Sequence, residues 1–229
     1  IQNILNCLKR REAMSELHRT LQRYGPRHPR VGECHHSLGL CYLFTQNYRE
    51  SITHLASSVQ IYTNVLGVKH PEVASTLMLK GLAHLALEQL DDSMACLLRV
   101  RRLREDLLGH DHPEISHILN NMACVHYELG DYKKAELLFQ EALDLQREVF
   151  TTEPAFLKAV SIVLCNIAFL HAKSGAFPKA LIELEGALQI RQDILLEDDS
   201  LSDITENMAH ILAIHQLQHG AVNLDEITE

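Results

Sequence analysis

Three short segments of this sequence repeat similar residues at a constant spacing. They are Arg27-His28-Pro29-Arg30-Val31, Lys69-His70-Pro71-Glu72-Val73 and Asp111-His112-Pro113-Glu114-Ile115, and their prolines lie 42 residues apart. A repeat of this length is typical of a solenoid, in which each unit buries its apolar face only against its neighbours. The period therefore predicts one continuous array of repeats, which presents a shaped binding surface more readily than a catalytic site.

Residues of constant size follow the same period. Small residues recur at Gly39, Gly81, Ala123 and Ala168, small residues follow twelve positions later at Ser51, Ser93, Ala135 and Ala180, and large apolar residues follow sixteen positions later at Leu55, Leu97, Phe139 and Leu184. Small side chains are needed where two packed helices come close, and large ones fill the space beside that contact. Each repeat is therefore predicted to be a hairpin of two helices. A spacing of 45 residues extends the first series to Ala213, and a competing register places Ala209 there.

Glycine and proline mark the ends of the predicted helices. Gly130 and Gly175 lie where a left-handed residue would end a helix, and Pro71 and Pro113 lie where the first turn of the next repeat would begin. These signals predict a partial N-terminal hairpin or cap over residues 1–27, an array over 28–196 with repeats at 28–69, 70–111, 112–152 and 153–196, and a degenerate last repeat or cap over 197–229. Since the sequence begins at Ile1 and ends inside an unfinished repeat, we expect a fragment of a longer protein.

Charge is distributed unevenly along the sequence. The formal net charge is −9, but residues 1–114 carry 14 basic and 12 acidic side chains (+2), whereas residues 115–229 carry 7 and 18 (−11). Because the acidic half would repel phosphate groups, neither nucleic acid nor an anionic membrane surface is expected as a partner. The longest apolar run is far shorter than the roughly 20 residues that span a bilayer, so membrane insertion is not predicted.

Cysteine usage indicates the compartment. The six cysteines include no Cys-x-x-Cys pair and lie within apolar helical patterns. Such residues are typically buried free thiols of proteins in a reducing environment, which predicts a cytoplasmic localisation.

The third repeat carries the most informative motifs. Leu119-Asn120-Asn121-Met122-Ala123 precedes Gly130-Asp131-Tyr132 and then Ala135, Phe139 and Ala142, and the linker Leu107-Leu108-Gly109-His110-Asp111-His112-Pro113 precedes all of them. This pattern resembles the tetratricopeptide repeat (TPR), in the 42-residue variety found in kinesin light chains, over about residues 28–196. The resemblance implies an all-α fold, a right-handed α-α superhelix of stacked antiparallel helix hairpins, that serves protein–protein interaction. The arginine that the family places near the end of the second helix is present as Arg104 and Arg191 but replaced by Tyr62 and Gln146.

In such an array the first helices line a concave groove and the second helices form the outer face. Side chains around the small residue of each first helix are therefore expected to point into the groove, namely His36, Leu40, Phe44, Leu79, Leu82, Asn120, Asn121, Tyr127, Asn166, Phe169 and Lys173. An asparagine side chain both donates and accepts hydrogen bonds, so exposed Asn120, Asn121 and Asn166 would suit the main chain of an extended peptide. The resemblance implies peptide-gripping asparagines at the same positions. Two other interpretations stay open: the asparagines are merely tolerated polar residues, or a further helix covers the apolar stripe.

Other classes of site are not predicted. The clamp by which chaperone cofactors hold a carboxylate needs polar groups where Leu40, Leu79 and Leu82 stand. His84, His126 and His171 recur at equivalent positions and are interpreted as packing and hydrogen-bonding groups, because equivalent residues of neighbouring repeats lie about 8–10 Å apart. The arginine run Arg99, Arg101, Arg102 and Arg104 is interpreted as a solvated outer face, with docking of an acidic segment as the alternative. With no phosphate-binding loop or catalytic set in the sequence, we predict no enzyme activity, cofactor or metal.

The sequence therefore predicts an interaction scaffold. It would bind a short extended peptide or a helix of a protein partner along the groove, and the resemblance suggests a cargo or adaptor role. The alternative is self-assembly, in which the N-terminal half of one molecule contacts the acidic half of another and forms a weak homo-oligomer.

Overall fold

The computed structural model describes residues 2–147, 154–194 and 200–219, and the regular structure in these residues is helical throughout. The helices are α1 (Gln2–Tyr24), α2 (Pro29–Phe44), α3 (Tyr48–Leu66), α4 (Pro71–Ala86), α5 (Leu90–Leu108), α6 (Glu114–Glu128), α7 (Tyr132–Arg147), α8 (Pro154–Lys173), α9 (Phe177–Ile194) and α10 (Ser200–His219). The chain divides into two compact units: unit 1, residues 1–129, contains α1–α6, and unit 2, residues 130–229, contains α7–α10. The predicted all-α fold is confirmed.

The repeated His-Pro motif starts the first helix of three repeats. The Nδ1 atoms of His28, His70 and His112 each accept a hydrogen bond of 3.2 Å from the main-chain N–H two residues later. The intervening proline lies at the start of the helix, where its missing N–H leaves no hydrogen bond unmade. Each imidazole satisfies an N–H that has no partner within its helix, as a serine or aspartate cap does elsewhere. The motif that reveals the period is therefore a helix cap.

The turns between paired helices use a left-handed residue in every described repeat. Gly130 and Gly175 have φ of +75° and +80°, as their positions in the sequence predict. In the first two repeats the left-handed residues are instead Gln46 and Glu88, with φ of +59° and +58°. The same turn is thus formed without glycine, at a conformational cost that glycine would avoid.

Paired helices pack closely in unit 1 at the predicted small residues. Gly39 and Ser51 are buried where α2 meets α3, and Leu55 beside them is fully buried. The pair α4 and α5 repeats this arrangement. Helix α1 packs on α2 through a small cluster of Leu17, Val31 and Leu38. Each helix of unit 1 therefore packs against the next, as expected of repeats that cannot bury their faces alone.

Unit 2 repeats the same packing between α8 and α9. Ala168, Ala180 and Leu184 are fully buried at the predicted positions, and α8 also packs against α7. The size pattern therefore predicts the core correctly in this unit as well.

The spacing of 45 residues that places Ala213 in the series is wrong, and the competing register at Ala209 agrees with the structure. Ala209 itself is exposed. The buried residues of α10, Ile204 and Ile211, lie five positions before and two after Ala209, as buried Ile118 and Val125 lie about Ala123. This face packs against α9. A small residue is needed only where the second helix of the same hairpin crosses, so large side chains can fill the contact with α9.

Candidate functional site

Unit 1 contains an apolar cavity of about 420 Å³ between its first helices. Helices α2, α4 and α6 lie side by side there, and α5 closes the space behind them. The apolar part of its wall is formed by Leu40, Ala74, Met78, Leu79, Val100 and Ile118, and the polar part by His36, Ser75, Arg104, Glu114 and His117. A mainly apolar concavity with a few polar groups at its edge is the usual form of a ligand or peptide pocket.

His36 is held in one tautomer at the edge of this cavity. Its Nδ1 lies 2.9 Å from the hydroxyl of Thr76, and that hydroxyl donates its single hydrogen to the main-chain oxygen of Glu72 at 2.7 Å. The hydroxyl can therefore only accept from the imidazole, so the proton of His36 is on Nδ1 and Nε2 is a hydrogen-bond acceptor. Burial lowers the pKa of His36 below its ordinary value, an effect that the charge of Glu72 partly offsets. The ring is consequently neutral at physiological pH.

Arg104 connects the second helix α5 to the edge of the cavity. Its Nη2 donates a hydrogen bond of 3.0 Å to the hydroxyl of Ser75, and its Nη1 lies 3.3 Å from the carboxylate of Glu114. Arg104 is thus largely enclosed between α4 and α6. The interpretation of its sequence run as a solvated outer face is wrong for this residue, because its guanidinium is directed toward the first helices.

An equivalent arginine occurs in unit 2. The Nε of Arg191 donates a hydrogen bond of 2.9 Å to the hydroxyl of Ser161, and both side chains are buried. The second-helix arginine therefore recurs as a donor to a serine hydroxyl on the first helix of its own repeat.

The two predicted asparagines of α6 are arranged differently from expectation. Asn120 is buried, with 9% of its surface exposed, so the prediction that it is an exposed groove residue is wrong. The amide of Asn121 is half-buried: its Nδ2 lies 3.3 Å from the sulfur of Met78, and its Oδ1 lies 3.5 Å from the Nδ2 of Asn120. Adjacent residues on a helix point about 100° apart, so the two side chains lie in different environments, Asn120 buried and Asn121 half-buried.

The remaining predicted residues of unit 1 occupy different environments. Leu40 and Leu79 line the cavity with His36, whereas Leu82 and Tyr127 are half-buried elsewhere. Phe44, at the end of α2, is 74% exposed. In unit 2, Asn166 is half-buried on α8, and Phe169 and Lys173 are exposed three and seven residues later on the same helix. That spacing places the three side chains on one face.

Sequence reasoning missed the contribution of the second helix to the cavity. Val100 and Arg104 from α5 complete its wall, although second helices were expected to form only the outer face. The available signal was the recurrence of an arginine about thirty residues after a serine, as in Ser75–Arg104 and Ser161–Arg191.

Most of the histidines outside this cavity have structural partners. His84 is buried, and its Nδ1 lies 2.8 Å from the side-chain oxygen of Gln89 in the turn that follows α4. The Nδ1 atoms of His35 on α2 and His54 on α3 lie 2.9 Å apart, and the ring of His54 stacks on Tyr42. Within the described ranges, no group of three or more histidine, cysteine, aspartate or glutamate side chains is arranged to hold a metal ion.

No helix in the described part of the chain is both long enough and apolar enough to cross a membrane. Its five described cysteines, Cys34, Cys41, Cys96, Cys124 and Cys165, are free thiols.

Comparison with known proteins agrees with this architecture. A family model for the tetratricopeptide repeat matches residues 35–105 and 72–148. No curated protein matches the sequence significantly.

Solved structures of repeat proteins share the fold at low sequence identity. BtubC (BKLC) from P. vanneervenii superposes with a TM-score of 0.69 at 15% identity, over 97% of this chain and 89% of that one. The nearly identical TPR-like repeats of a Podosopora anserina protein described as a kinesin light chain superpose with a TM-score of 0.61 at 20% identity, over 87% and 92%. A single-substitution variant of those repeats gives a TM-score of 0.62 at 20% identity, over 87% and 94%.

Proposed function

Residues 35–148 of this chain are tetratricopeptide repeats, and from this premise we propose that the chain binds an extended segment of a protein partner along the first helices of unit 1. The repeat fold is that of a protein–protein interaction scaffold. The observation that carries the finer proposal is the apolar cavity between α2, α4 and α6. It would take one large apolar side chain of the partner.

Polar groups around the cavity would fix the main chain of the bound segment. Nε2 of His36 would accept an N–H, and the amide of Asn121 would exchange its weak contact with the sulfur of Met78 for a peptide carbonyl. The Arg104–Glu114 ion pair would supply a donor and an acceptor at the opposite edge. Peptide recognition in an extended conformation commonly combines main-chain hydrogen bonds with pockets for selected side chains.

A second contact surface is proposed on α8 of unit 2. Asn166, Phe169 and Lys173 share one face of this helix, and Phe169 is 41% exposed. The amide of Asn166, the aromatic ring of Phe169 and the ammonium group of Lys173 would suit a peptide that carries one apolar and one acidic side chain. We propose that the chain, by binding a partner in this way, acts as an adaptor or cargo-binding module. The free thiols support a cytoplasmic setting.

Peptide selection followed by mutation tests the cavity. A random twelve-residue peptide library is displayed on phage, and the selected peptides are labelled for fluorescence anisotropy. Leu79→Glu should weaken their binding at least about tenfold, because a buried carboxylate in the cavity would be desolvated without a partner. The matched control is Leu98→Glu on α5, where the leucine is 40% exposed and outside the cavity; it should change affinity less than about twofold.

Circular dichroism must show that both variants keep their helical content. If Leu79→Glu unfolds the protein, Leu40→Ala replaces it, since this change empties part of the cavity wall without adding a charge. Equal binding by a folded cavity variant and by the wild type would refute the proposed site.

Self-assembly is the second candidate function, and the charge asymmetry favours it. Residues 1–114 have a balance of +2 and residues 115–229 a balance of −11, so opposite halves of two molecules attract each other. Sedimentation at low and high salt separates the candidates, because a charge-driven oligomer dissociates as salt rises. A monomer at both salt concentrations would remove this alternative.

A further inference from the structure

The N-terminal part of unit 1 has a surface rich in arginine that the proposed peptide groove does not use. Residues 10–30 contain six arginines and no lysine, against two glutamates. Arg11, Arg19, Arg23, Arg27 and Arg30 are exposed on α1, on the loop after it and at the start of α2. In a chain with a net charge of −9, this segment therefore carries a local excess of positive charge, which attracts anionic groups.

Two of these arginines are held in place by the ring of Tyr24. The guanidinium carbon of Arg23 lies 5.2 Å from the ring centroid and that of Arg30 lies 5.3 Å from it. Arg30 also donates a hydrogen bond of 2.8 Å to the Tyr24 hydroxyl, and the ring of His28 stacks on Tyr24 at 4.5 Å. A guanidinium carries five N–H donors, and only one of those of Arg30 is given to the Tyr24 hydroxyl, so most of the donors remain for an anion.

The carboxylates of unit 1 leave these two guanidiniums uncompensated. Within the described residues, neither Arg23 nor Arg30 forms an ion pair, whereas Arg19 pairs with Glu16 at 2.8 Å. Arginines that are already positioned lose little side-chain entropy when they bind a planar anion, and the fork of N–H donors matches a carboxylate in a bidentate arrangement.

A cleft of about 940 Å³ between α1 and α2 lies beside the ring of Tyr24. Arg19, Arg23 and Arg30 line it together with Glu12, Glu16 and Glu33. The mixture of charges distinguishes between classes of anion. A polyphosphate backbone would be repelled by three glutamates, whereas a polypeptide can place carboxylates against the arginines and N–H groups or a basic side chain against the glutamates.

We propose that this cleft is a docking site for an acidic segment of a partner protein, whose carboxylates are held by Arg23 and Arg30 on the Tyr24 ring. The site is distinct from the apolar cavity between α2, α4 and α6, so the two could be occupied together. A partner with a glutamate- or aspartate-rich stretch could then bind unit 1 both in this cleft and in the apolar cavity. Because binding at one place raises the effective concentration at the other, the affinity for such a partner would rise.

The test uses a defined probe and the whole chain. The probe is a fluorescein-labelled fifteen-residue peptide of repeated Glu-Gly-Ser, with repeated Gln-Gly-Ser as the neutral control, at low ionic strength. We expect the acidic peptide to bind and the neutral peptide not to bind. The double variant Arg23→Gln/Arg30→Gln should weaken binding at least about tenfold, since both bidentate partners are lost.

The matched control removes the same charge elsewhere in unit 1. Arg99→Gln/Arg102→Gln on α5 replaces two exposed arginines and should weaken binding less than about twofold. Equal weakening by the two double variants would overturn the proposal, because it would show attraction by total charge alone. Arg23→Lys/Arg30→Lys keeps the charge and loses the fork, so an affinity between those of the wild type and the Gln variant is expected.

Two further measurements compare the acidic peptide with nucleic acid and with an anionic membrane as ligands of this site. Tighter binding of a fifteen-nucleotide single-stranded DNA or of phosphatidylserine vesicles than of the acidic peptide would also refute the proposal. Should the Gln variant lose helical content by circular dichroism, Arg27→Gln/Arg30→Gln replaces it, because Arg27 is exposed in the loop and has no ion pair in the described part of the chain. Leu79→Glu should leave acidic-peptide binding unchanged, so failure of the peptide groove and failure of this site are distinguishable.

Discussion

The hydroxyl of Ser51 donates a hydrogen bond of 2.7 Å to the main-chain carbonyl oxygen of Gly39, across the closest approach of α2 and α3. Ser93 makes the same contact with Gly81 at 2.8 Å in the next repeat. The third and fourth repeats have alanine at both positions and cannot form this bond. The first two hairpins are therefore joined at the crossing point by a buried polar contact, and the glycine opposite it makes the close approach possible.

The close approach predicts that Gly39→Ala destabilises unit 1. A Cβ at Gly39 would lie 2.5 Å from the Cγ of Leu55, which is fully buried and cannot move aside. Overpacking of this kind costs about 1–3 kcal/mol and outweighs the roughly 1 kcal/mol that alanine gains in a helix. Denaturant unfolding followed by circular dichroism measures the change. Gly186→Ala on α9 is the control: its nearest atom would be 3.7 Å away, so stability should rise, and an equal response of the two variants would contradict the packing argument.

The left-handed residue Gln46 predicts a stabilising substitution. Its φ of +59° is unfavourable for a residue with a Cβ, and its side chain is exposed. Gln46→Gly should raise the free energy of unfolding by about 0.5–1 kcal/mol, because glycine adopts this conformation without strain. The control Gln60→Gly, in the middle of α3, should lower the free energy of unfolding by about 1 kcal/mol. A loss of stability in Gln46→Gly would show that the turn is not strained.

The pair His35 and His54 predicts an acid-sensitive hairpin. Burial lowers the pKa of both imidazoles, and the charge of His54 lowers the pKa of His35 further. The Nδ1–Nδ1 hydrogen bond needs one ring without a proton on Nδ1, so protonation of both imidazoles would break it.

The sign follows from proton linkage. A histidine whose folded pKa is lowered stabilises the fold above its unfolded pKa near 6.5, and this stabilisation is lost as pH falls. We expect the unfolding midpoint to drop between pH 7.5 and pH 5. In His54→Gln the drop should be smaller. An unchanged pH dependence in that variant would show that the pair does not titrate with folding.

Cys124 is predicted to resist alkylation in the folded protein. Burial raises the pKa of its thiol to about 11, and the nearby Glu128 adds to the shift. Since the thiolate is the reactive form, a pKa two units above the ordinary value lowers the alkylation rate at pH 8 by about a hundredfold. Peptide mass spectrometry after timed iodoacetamide treatment measures the rate. The urea-unfolded chain is the control, and equal rates in the folded and unfolded chain would contradict the burial.

Much of the fold could be predicted from residue size alone. The positions of Leu55, Leu97, Phe139 and Leu184, sixteen residues after a small residue, are all fully or almost fully buried. The prediction works because the same helix-to-helix contact is repeated, so each repeat confirms the register of the others. It fails only in the choice of Ala213 for the last helix, since buried Ile204 and Ile211 lie where the competing register at Ala209 places buried residues.

One departure from the family pattern has a physical explanation that required the structure. Tyr62 stands where other repeats have Arg104 and Arg191, and Gly32 on α2 lies against its ring: a Cβ at Gly32 would be 2.9 Å from Cε1 of Tyr62. The ring of Tyr62, which stands in place of an arginine, is therefore accommodated by Gly32, which has no side chain. Burial and the nearby Glu72 raise the pKa of Tyr62 to about 12, so it stays neutral.

The candidate site was predicted less well than the fold. His36, Leu40 and Leu79 were expected to face one groove and do line one cavity, but Asn120 is buried and Arg104 enters from the second helix. Each residue turns the helix by about 100°, so a small error in the rotation of a helix decides which of two neighbours is exposed. Periodicity identifies a face only to within that error.

The amino-acid sequence by itself determined the repeat, the helix pairs and the buried small and large residues, because these follow from spacings that every repeat shares. The tertiary structure decided what the spacings leave open: the tautomer of His36 through Thr76, the direction of Arg104, and the arginine pair on Tyr24. These depend on contacts between side chains far apart in the sequence and different in each repeat. No period encodes them, since they exist only once the helices are packed.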